Sequence, residues 1–158
     1  MTLEEKTVAL LIEKGWHIAF AESCTAGLCS ATLVNVADAS KVLDVSFTTY
    51  ANEAKMQYVG VKAQTIEANG VVSEAVAEEM AKGVAKAAGS EVGVGVSGIA
   101  GPGGGTETKP VGMVCFGFYV NGQCETFTRQ FGNIGRNNVR AASAEFVFRT
   151  LNKMLERK

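Results

Sequence analysis

Apolar and polar positions change period several times along the chain, and the changes mark out alternating helices and strands. Thr2 and Glu5 stand three residues apart ahead of apolar positions at Leu3, Leu10 and Leu11. This is a capping box opening an amphipathic helix that runs to Lys14 and stops at Gly15. The run His17–Ala21 is short and apolar and predicts a buried strand. Thr25 is placed to cap a helix over Ala26–Val34, and Asp38 a helical turn through Leu43. β-Branched and aromatic residues over Val45–Ala51 predict a second strand. Asn52 then caps a helix to Val59, closed by Gly60, and Thr65–Asn69 forms a short helix ended by Gly70. Ser73 caps a longer helix through Ala88, closed by Gly89, with Val76, Met80, Val84 and Ala87 as its apolar stripe.

Valine and glycine alternate over Glu91–Ser97, a strand, and Gly98–Lys109 is a glycine-rich loop. Val111–Val120 and Gln123–Phe131 read as strands joined by Asn121-Gly122, a dipeptide suited to a two-residue type I′ turn. From Gly135 a last helix carries Val139, Phe146, Leu151 and Leu155 on or near one face. Strands separated by helices imply parallel crossovers, and the hairpin adds an antiparallel arm. The expected fold is therefore α/β, a three-layer α/β/α sandwich around a mixed, mostly parallel five-stranded sheet, as one domain over residues 1–158.

Composition narrows the function classes. Apolar residues make up 47% and charged residues 20% of 158, the balance of a globular domain. A net charge of −1 leaves no basic surplus for phosphate-backbone binding, so nucleic acid is not the expected partner. No stretch reaches the ~18 apolar residues of a membrane span, and the charged N-terminus lacks a signal-peptide core. A cytoplasmic location without membrane contact is expected. Cys24, Cys29, Cys115 and Cys124 make no Cys-x-x-Cys pair and read as reduced, partly buried thiols. His17 is the one histidine, so the usual zinc ligand sets are missing and no metal or cofactor is expected.

Gly93, Gly95 and Gly98 fit the spacing Gly-x-Gly-x-x-Gly, but they lie within a predicted strand rather than at a strand-to-helix turn. Close packing of a helix on that strand explains them better than a dinucleotide site. The loop from Ser97 and Gly98 through Gly101, Gly103 and Gly104 can aim several backbone N–H groups at one anion, with Lys109 adding charge. Glu22, Ser23 and Thr25 fall between a strand end and a helix start, where open α/β sheets bind ligands and helix N-termini favour anions. The sequence argues against a histidine base, because His17 opens its strand instead of closing it and Ser97 lacks the second glycine of a Gly-x-Ser-x-Gly elbow. If the chain performs acyl chemistry, a lysine is the better base, which requires a pKa lowered to ~7–8 by burial or nearby positive charge. Lys55 sits at a strand-to-helix corner beside Tyr50 and Asn52. Ser40 lies in the first turn after Asp38.

Five blocks then occur in one order: Ala21-Glu22-Ser23-Cys24-Thr25, Tyr50-Ala51-Asn52-Glu53-Ala54-Lys55, Gly70-Val71-Val72-Ser73, Ser97 to Gly104, and Lys109-Pro110-Val111-Gly112. Together they closely resemble the CinA C-terminal-domain family, the nicotinamide-nucleotide amidases, from about Leu3 to Leu155. The resemblance implies hydrolysis of nicotinamide mononucleotide to nicotinate mononucleotide and ammonia, in pyridine-nucleotide recycling, by a serine amidohydrolase without a metal. It carries a serine, tyrosine and lysine set onto Ser40, Tyr50 and Lys55, and it implies a homo-oligomer. Ala26 stands where the family usually has glycine, and Ala51 where serine is common. Larger members carry an N-terminal domain linked to pyrophosphatase activity, which a chain of 158 residues is too short to include. Two other classes stay open: a module that binds a nucleotide without turning it over, and a structural or interaction protein sharing only the fold.

Overall fold

The computed structural model describes all residues from 1 to 158. Six α-helices and five strands follow in the order α1 (Leu3–Lys14), β1 (Ile18–Glu22), α2 (Leu28–Leu33), β2 (Phe47–Thr48), α3 (Asn52–Val59), α4 (Ala63–Asn69), α5 (Glu74–Ala88), β3 (Val92–Gly98), β4 (Met113–Val120), β5 (Gln123–Gln130) and α6 (Arg136–Arg157). The strands form one sheet in the order β2-β1-β3-β4-β5. The pairs β1–β2 and β1–β3 are parallel, and β3–β4 and β4–β5 are antiparallel. The pairings thus divide evenly, while β4 alone runs against the other strands. That makes the sheet mostly parallel in direction but less so in pairing than expected.

Alternation along the strands separates the two faces. Ile18 and Phe20 of β1, Val92, Val94 and Val96 of β3, and Phe116 and Phe118 of β4 join the larger core, under α1, α2 and α6. Ala19 and Ala21 face the other way, into a smaller core with Val59 of α3 and Val76, Met80 and Val84 of α5. This is the expected three-layer arrangement. The stripe of α5 turns inward at Ala85, leaving Ala87 exposed.

The glycines of β3 have a packing cause. A Cβ on Gly93 would stand 2.2 Å from the Ala81 carbonyl oxygen, one on Gly95 2.4 Å from that of Ala77, and one on Gly117 of β4 2.2 Å from the same Ala77 oxygen. They form a shelf on which α5 rests, backbone against backbone.

Several boundaries differ from the sequence reading. The capping box at Thr2 and Glu5 forms, Ser73 accepts from the Val76 N–H, and Asn121 and Gly122 both have positive φ, as a type I′ turn needs. The second strand shrinks to Phe47–Thr48, since it holds the sheet edge and has only Ala21 and Glu22 to pair with. Asn52 is the first residue of α3 and caps nothing. The turn expected after Asp38 is a 3₁₀ turn over Ala37–Lys41 without a side-chain cap. The helix expected from Ala26 starts only at Leu28, because Ala26 (φ 48°) and Gly27 (φ 96°) are left-handed. Thr25 does not cap it; the Glu22 carboxylate does, accepting from the Cys29 N–H at 2.8 Å and the Ser30 N–H at 3.0 Å.

Ala26 in a left-handed conformation costs roughly 1–2 kcal/mol that glycine would avoid. Ala26→Gly is expected to raise Tm by about 2–4 °C per kcal/mol recovered, measured by thermal unfolding. An unchanged or lower Tm would mean that the Ala26 methyl makes compensating contacts.

Candidate active site

The sheet changes direction of growth at β1. The chain leaves β1 for α2 on one face, and leaves β2 for α3 on the other. The carboxyl ends of these neighbouring strands therefore diverge and open a crevice, the usual ligand position in an open α/β sheet. Ser23 follows β1 directly, anchored by its N–H donating to the Val96 carbonyl at 3.0 Å. Lys55 comes from the first turn of α3. Its side chain is fully buried and turned toward Ser23.

The Lys55 amine donates to the Ser23 hydroxyl oxygen at 3.1 Å, to the Thr49 carbonyl at 2.8 Å and to the Tyr50 carbonyl at 3.0 Å. No carboxylate is among these partners. Burial withdraws the ammonium from water and lowers the Lys55 pKa below its ordinary value of 10.5. Neutral Lys55 would keep two N–H groups for the carbonyls and turn a lone pair on the serine hydroxyl. Cys24, beside Ser23, is the other side chain with a nucleophile's chemistry here, but burial pushes its thiol up to about 11. It is not a thiolate near neutral pH.

Ser23, Cys24 and Tyr50 line a cleft of about 400 Å³. Gly98 to Gly101, Gly103, Gly104 and Thr106 line it too, as do Lys109 and Arg136. The backbone N–H groups of Ala100, Gly101, Gly103 and Gly104 donate to nothing in the chain, nor do those of Cys24 and Thr25 donate to another residue. The loop thus presents four unpaired backbone N–H groups, with those of Cys24 and Thr25 next to the serine. Lys109 reaches in from the loop's far end. Its amine donates to the carbonyls of Val72 (2.7 Å) and Asn69, which ties the loop to the α4–α5 connection.

The expected site residues separate into groups. Ser23, Tyr50, Gly98, Gly101, Gly103, Gly104 and Lys109 line the cleft, with Lys55 immediately behind Ser23. Glu22 is fully buried and spends its carboxylate on Cys29, the Ser30 N–H and the Ser30 hydroxyl (2.9 Å), so it is a helix cap and not a ligand group. Ser97 is buried with its hydroxyl donating to the Val71 carbonyl at 2.8 Å. Thr25 is buried with its hydroxyl unpartnered. The Tyr50 hydroxyl accepts from Arg136 at 3.0 Å, so it is the backbone carbonyl of Tyr50 that positions Lys55.

Ser40 is not brought to this cluster. It is exposed on the 3₁₀ turn, whose following residues Val42 and Leu43 pair with Ile18 at the start of β1. Ser23 follows the other end of that strand, about 16 Å along at ~3.3 Å per residue. The serine that meets Lys55 is Ser23.

Two arginines escaped the sequence reading. Arg136 donates to the Gly101 carbonyl at 2.7 Å and to the Tyr50 hydroxyl, fastening the loop to the β2–α3 corner. Arg140, one turn on, donates to the carbonyls of Cys24 (3.0 Å) and Thr25 (3.1 Å) and fixes the turn after Ser23. Two cations in the first turns of a helix that has no acidic residue there run against the helix dipole, and that was the available signal.

A family model described as the CinA C-terminal domain matches residues 1–155. A CinA-like protein of Kosmotoga olearia is 48% identical over 145 residues, 92% of this chain and 35% of that protein. A competence-damage inducible protein of Clostridium acetobutylicum is 52% identical over 125 residues, 79% of this chain and 30% of that protein. The chain thus spans about a third of the length of these curated relatives. Among solved structures, a CinA-superfamily protein of Klebsiella pneumoniae superposes with a TM-score of 0.92 at 35% identity, covering 100% of both chains. A competence/damage inducible protein of Agrobacterium tumefaciens gives 0.90 at 36% identity, over 98% of this chain and 95% of that one.

Proposed function

The chain belongs to the CinA C-terminal domain family, and from that premise we propose that it is an amidohydrolase converting nicotinamide mononucleotide to nicotinate mononucleotide and ammonia. The observation that carries this reading is the buried Lys55 amine 3.1 Å from the Ser23 hydroxyl, at a cleft also lined by loop residues with unpaired backbone N–H groups.

In this reading neutral Lys55 takes the Ser23 proton as the oxygen attacks the carboxamide carbon. The tetrahedral intermediate collapses, and Lys55 returns the proton to the departing ammonia. Water then enters and gives a proton to Lys55 as it attacks the acyl carbonyl; the ester bond breaks, Lys55 passes that proton to the Ser23 oxygen, and the acid leaves and ionises to the carboxylate. The N–H groups of Cys24 and Thr25, next to Ser23 in the chain and unpaired with other backbone, are the donors assigned to the oxyanion, and each such donor is worth ~10²–10³ in rate. The 5′-phosphate lies against the N–H groups of Ala100 to Gly104, with Arg136 and Lys109 at its sides. Binding the phosphate away from the reacting amide spends remote binding energy on orientation.

The test is ammonia release from nicotinamide mononucleotide by the purified chain, with Ser23→Ala inactive. Tight nucleotide binding without ammonia would select a non-catalytic binding module instead. The pH profile adds a second check. Only the unprotonated amine serves as base, so kcat/KM rises with pH up to the Lys55 pKa of the free enzyme and is flat above it. Because burial lowers that pKa, the bend falls below 10.5. A rate that falls as pH rises through neutrality would exclude a lysine base.

A further inference from the structure

β5 is one edge of the sheet and the longest open backbone in the fold. It pairs with β4 from Val120↔Gln123 to Met113↔Gln130 without a bulge, and no strand of the chain covers its other side. The Phe131 N–H donates to the Gly112 carbonyl. Antiparallel alternation then has Gln123, Glu125, Phe127 and Arg129 bonding inward to β4. The N–H and C=O groups of Cys124, Thr126, Thr128 and Gln130 point outward. Exposed edges are usually blunted by proline, charged side chains (lysine above all), a bulge or a covering segment; β5 carries only Glu125 and Arg129, of opposite sign. Gln123–Gln130 contains no proline or lysine. The end of α6 reaches only its side chains, through Arg157 to Glu125 and Lys158 to Gln123.

The strand is its own complement. Laid antiparallel on a second copy about a two-fold axis at Phe127, Glu125 faces Arg129, Thr126 faces Thr128 and Cys124 faces Gln130, each pair occurring twice. The outward backbone groups then meet in hydrogen-bonded pairs. Glu125 and Arg129 fall in non-hydrogen-bonded pairs, where side chains come closest. The two Phe127 rings meet on the axis. Phe127 is half-buried with its centroid 5.8 Å from those of Phe118 and Phe146, so the partner ring extends an existing aromatic cluster. A shift of two residues either way loses the charge pairing. Glu125 would then oppose Phe127 or Phe131, and Arg129 would oppose Gln123 or Phe127.

We propose that β5 is a dimer interface at which a second copy of this chain pairs antiparallel about Phe127, joining the two sheets into one. The test is the oligomeric state of the full chain by sedimentation equilibrium. The wild type is expected to be a dimer. Glu125→Arg and Arg129→Glu each set like charges opposite one another twice and are expected to weaken the dimer about tenfold or more. The double reversal restores the pairing and is expected to recover the wild-type affinity. Glu125 is half-buried and Arg129 exposed, and thermal unfolding confirms that each of the three variants is folded.

The register has its own readout. Gln130→Cys places a thiol opposite Cys124 of the second copy, in a hydrogen-bonded pair with Cα atoms ~5.5 Å apart, within disulfide range. Mild oxidation is expected to give an intermolecular disulfide linking position 130 to Cys124, mapped by peptide mass spectrometry. A wild-type chain that stays monomeric at millimolar concentration overturns the proposal and leaves the edge to a strand from a different protein. A dimer that neither charge reversal weakens, or a Gln130→Cys variant that forms no such cross-link, also overturns it.

Discussion

Lys55→Ala is expected to lower kcat/KM for ammonia release from nicotinamide mononucleotide by about 10³ or more, while nucleotide binding persists. A positioned general base alone contributes ~10²–10⁴, and members of one catalytic unit lose activity together. No other titratable side chain touches the Ser23 hydroxyl, so nothing on the chain substitutes for the amine. None of the residues assigned to the phosphate hydrogen-bonds to Lys55. Retained binding is read as a nucleotide-dependent rise in Tm. Lys55→Arg separates charge from basicity: it keeps a cation but cannot give up a proton near neutral pH, and is expected to be as inactive as the alanine variant. Activity surviving in either variant would move the base elsewhere.

The largest stability effect is expected at a position remote from the chemistry. Gly95→Val would place a Cβ 2.4 Å from the Ala77 carbonyl oxygen and 2.7 Å from the Met80 Cβ. Both belong to α5, and neither obstacle is the flexible end of a side chain. Helix α5 must lift from the sheet, opening the core of Val76, Met80 and Val84 beneath it. Overpacking typically costs 1–3 kcal/mol, and a backbone obstacle places this case at about 3 kcal/mol or beyond. That corresponds to a fall in Tm of about 6–12 °C, measured by calorimetry or denaturant titration. A loss under about 1 kcal/mol would mean that α5 does not rest on the glycines.

This shelf was legible in the sequence. Gly93, Gly95 and Gly98 have a dinucleotide-like spacing but no helix follows them, which points to helix packing, and Gly93 and Gly95 do carry α5. The capping box at Thr2 and Glu5, the Ser73 cap and the Asn121-Gly122 turn are legible because each is a local device whose residues lie close together in the chain. The cap of α2 was not. Thr25 had the right chemistry in the right place, but left-handed Ala26 and Gly27 push the helix two residues on, and a carboxylate from the preceding strand fills the role. The site divides along the same line. Lys55 and the glycine loop stand out by residue type and local context. Which serine meets Lys55 depends on which strand end lies beside α3, and only the parallel pairing of β1 with β2 decides that. Ser40, closer to Lys55 in the chain, is turned to the other end of β1. Arg136 and Arg140 reach the cleft from α6, more than eighty residues after Lys55, with only an unfavourable helix-dipole position to betray them.

The most direct measurement compares ammonia release from nicotinamide mononucleotide by the wild type, Ser23→Ala and Ser40→Ala at equal protein concentration. Rapid release by the wild type, near-wild-type release by Ser40→Ala and none above background by Ser23→Ala are expected. An active Ser23→Ala, or an inactive Ser40→Ala, would contradict Ser23 as the nucleophile.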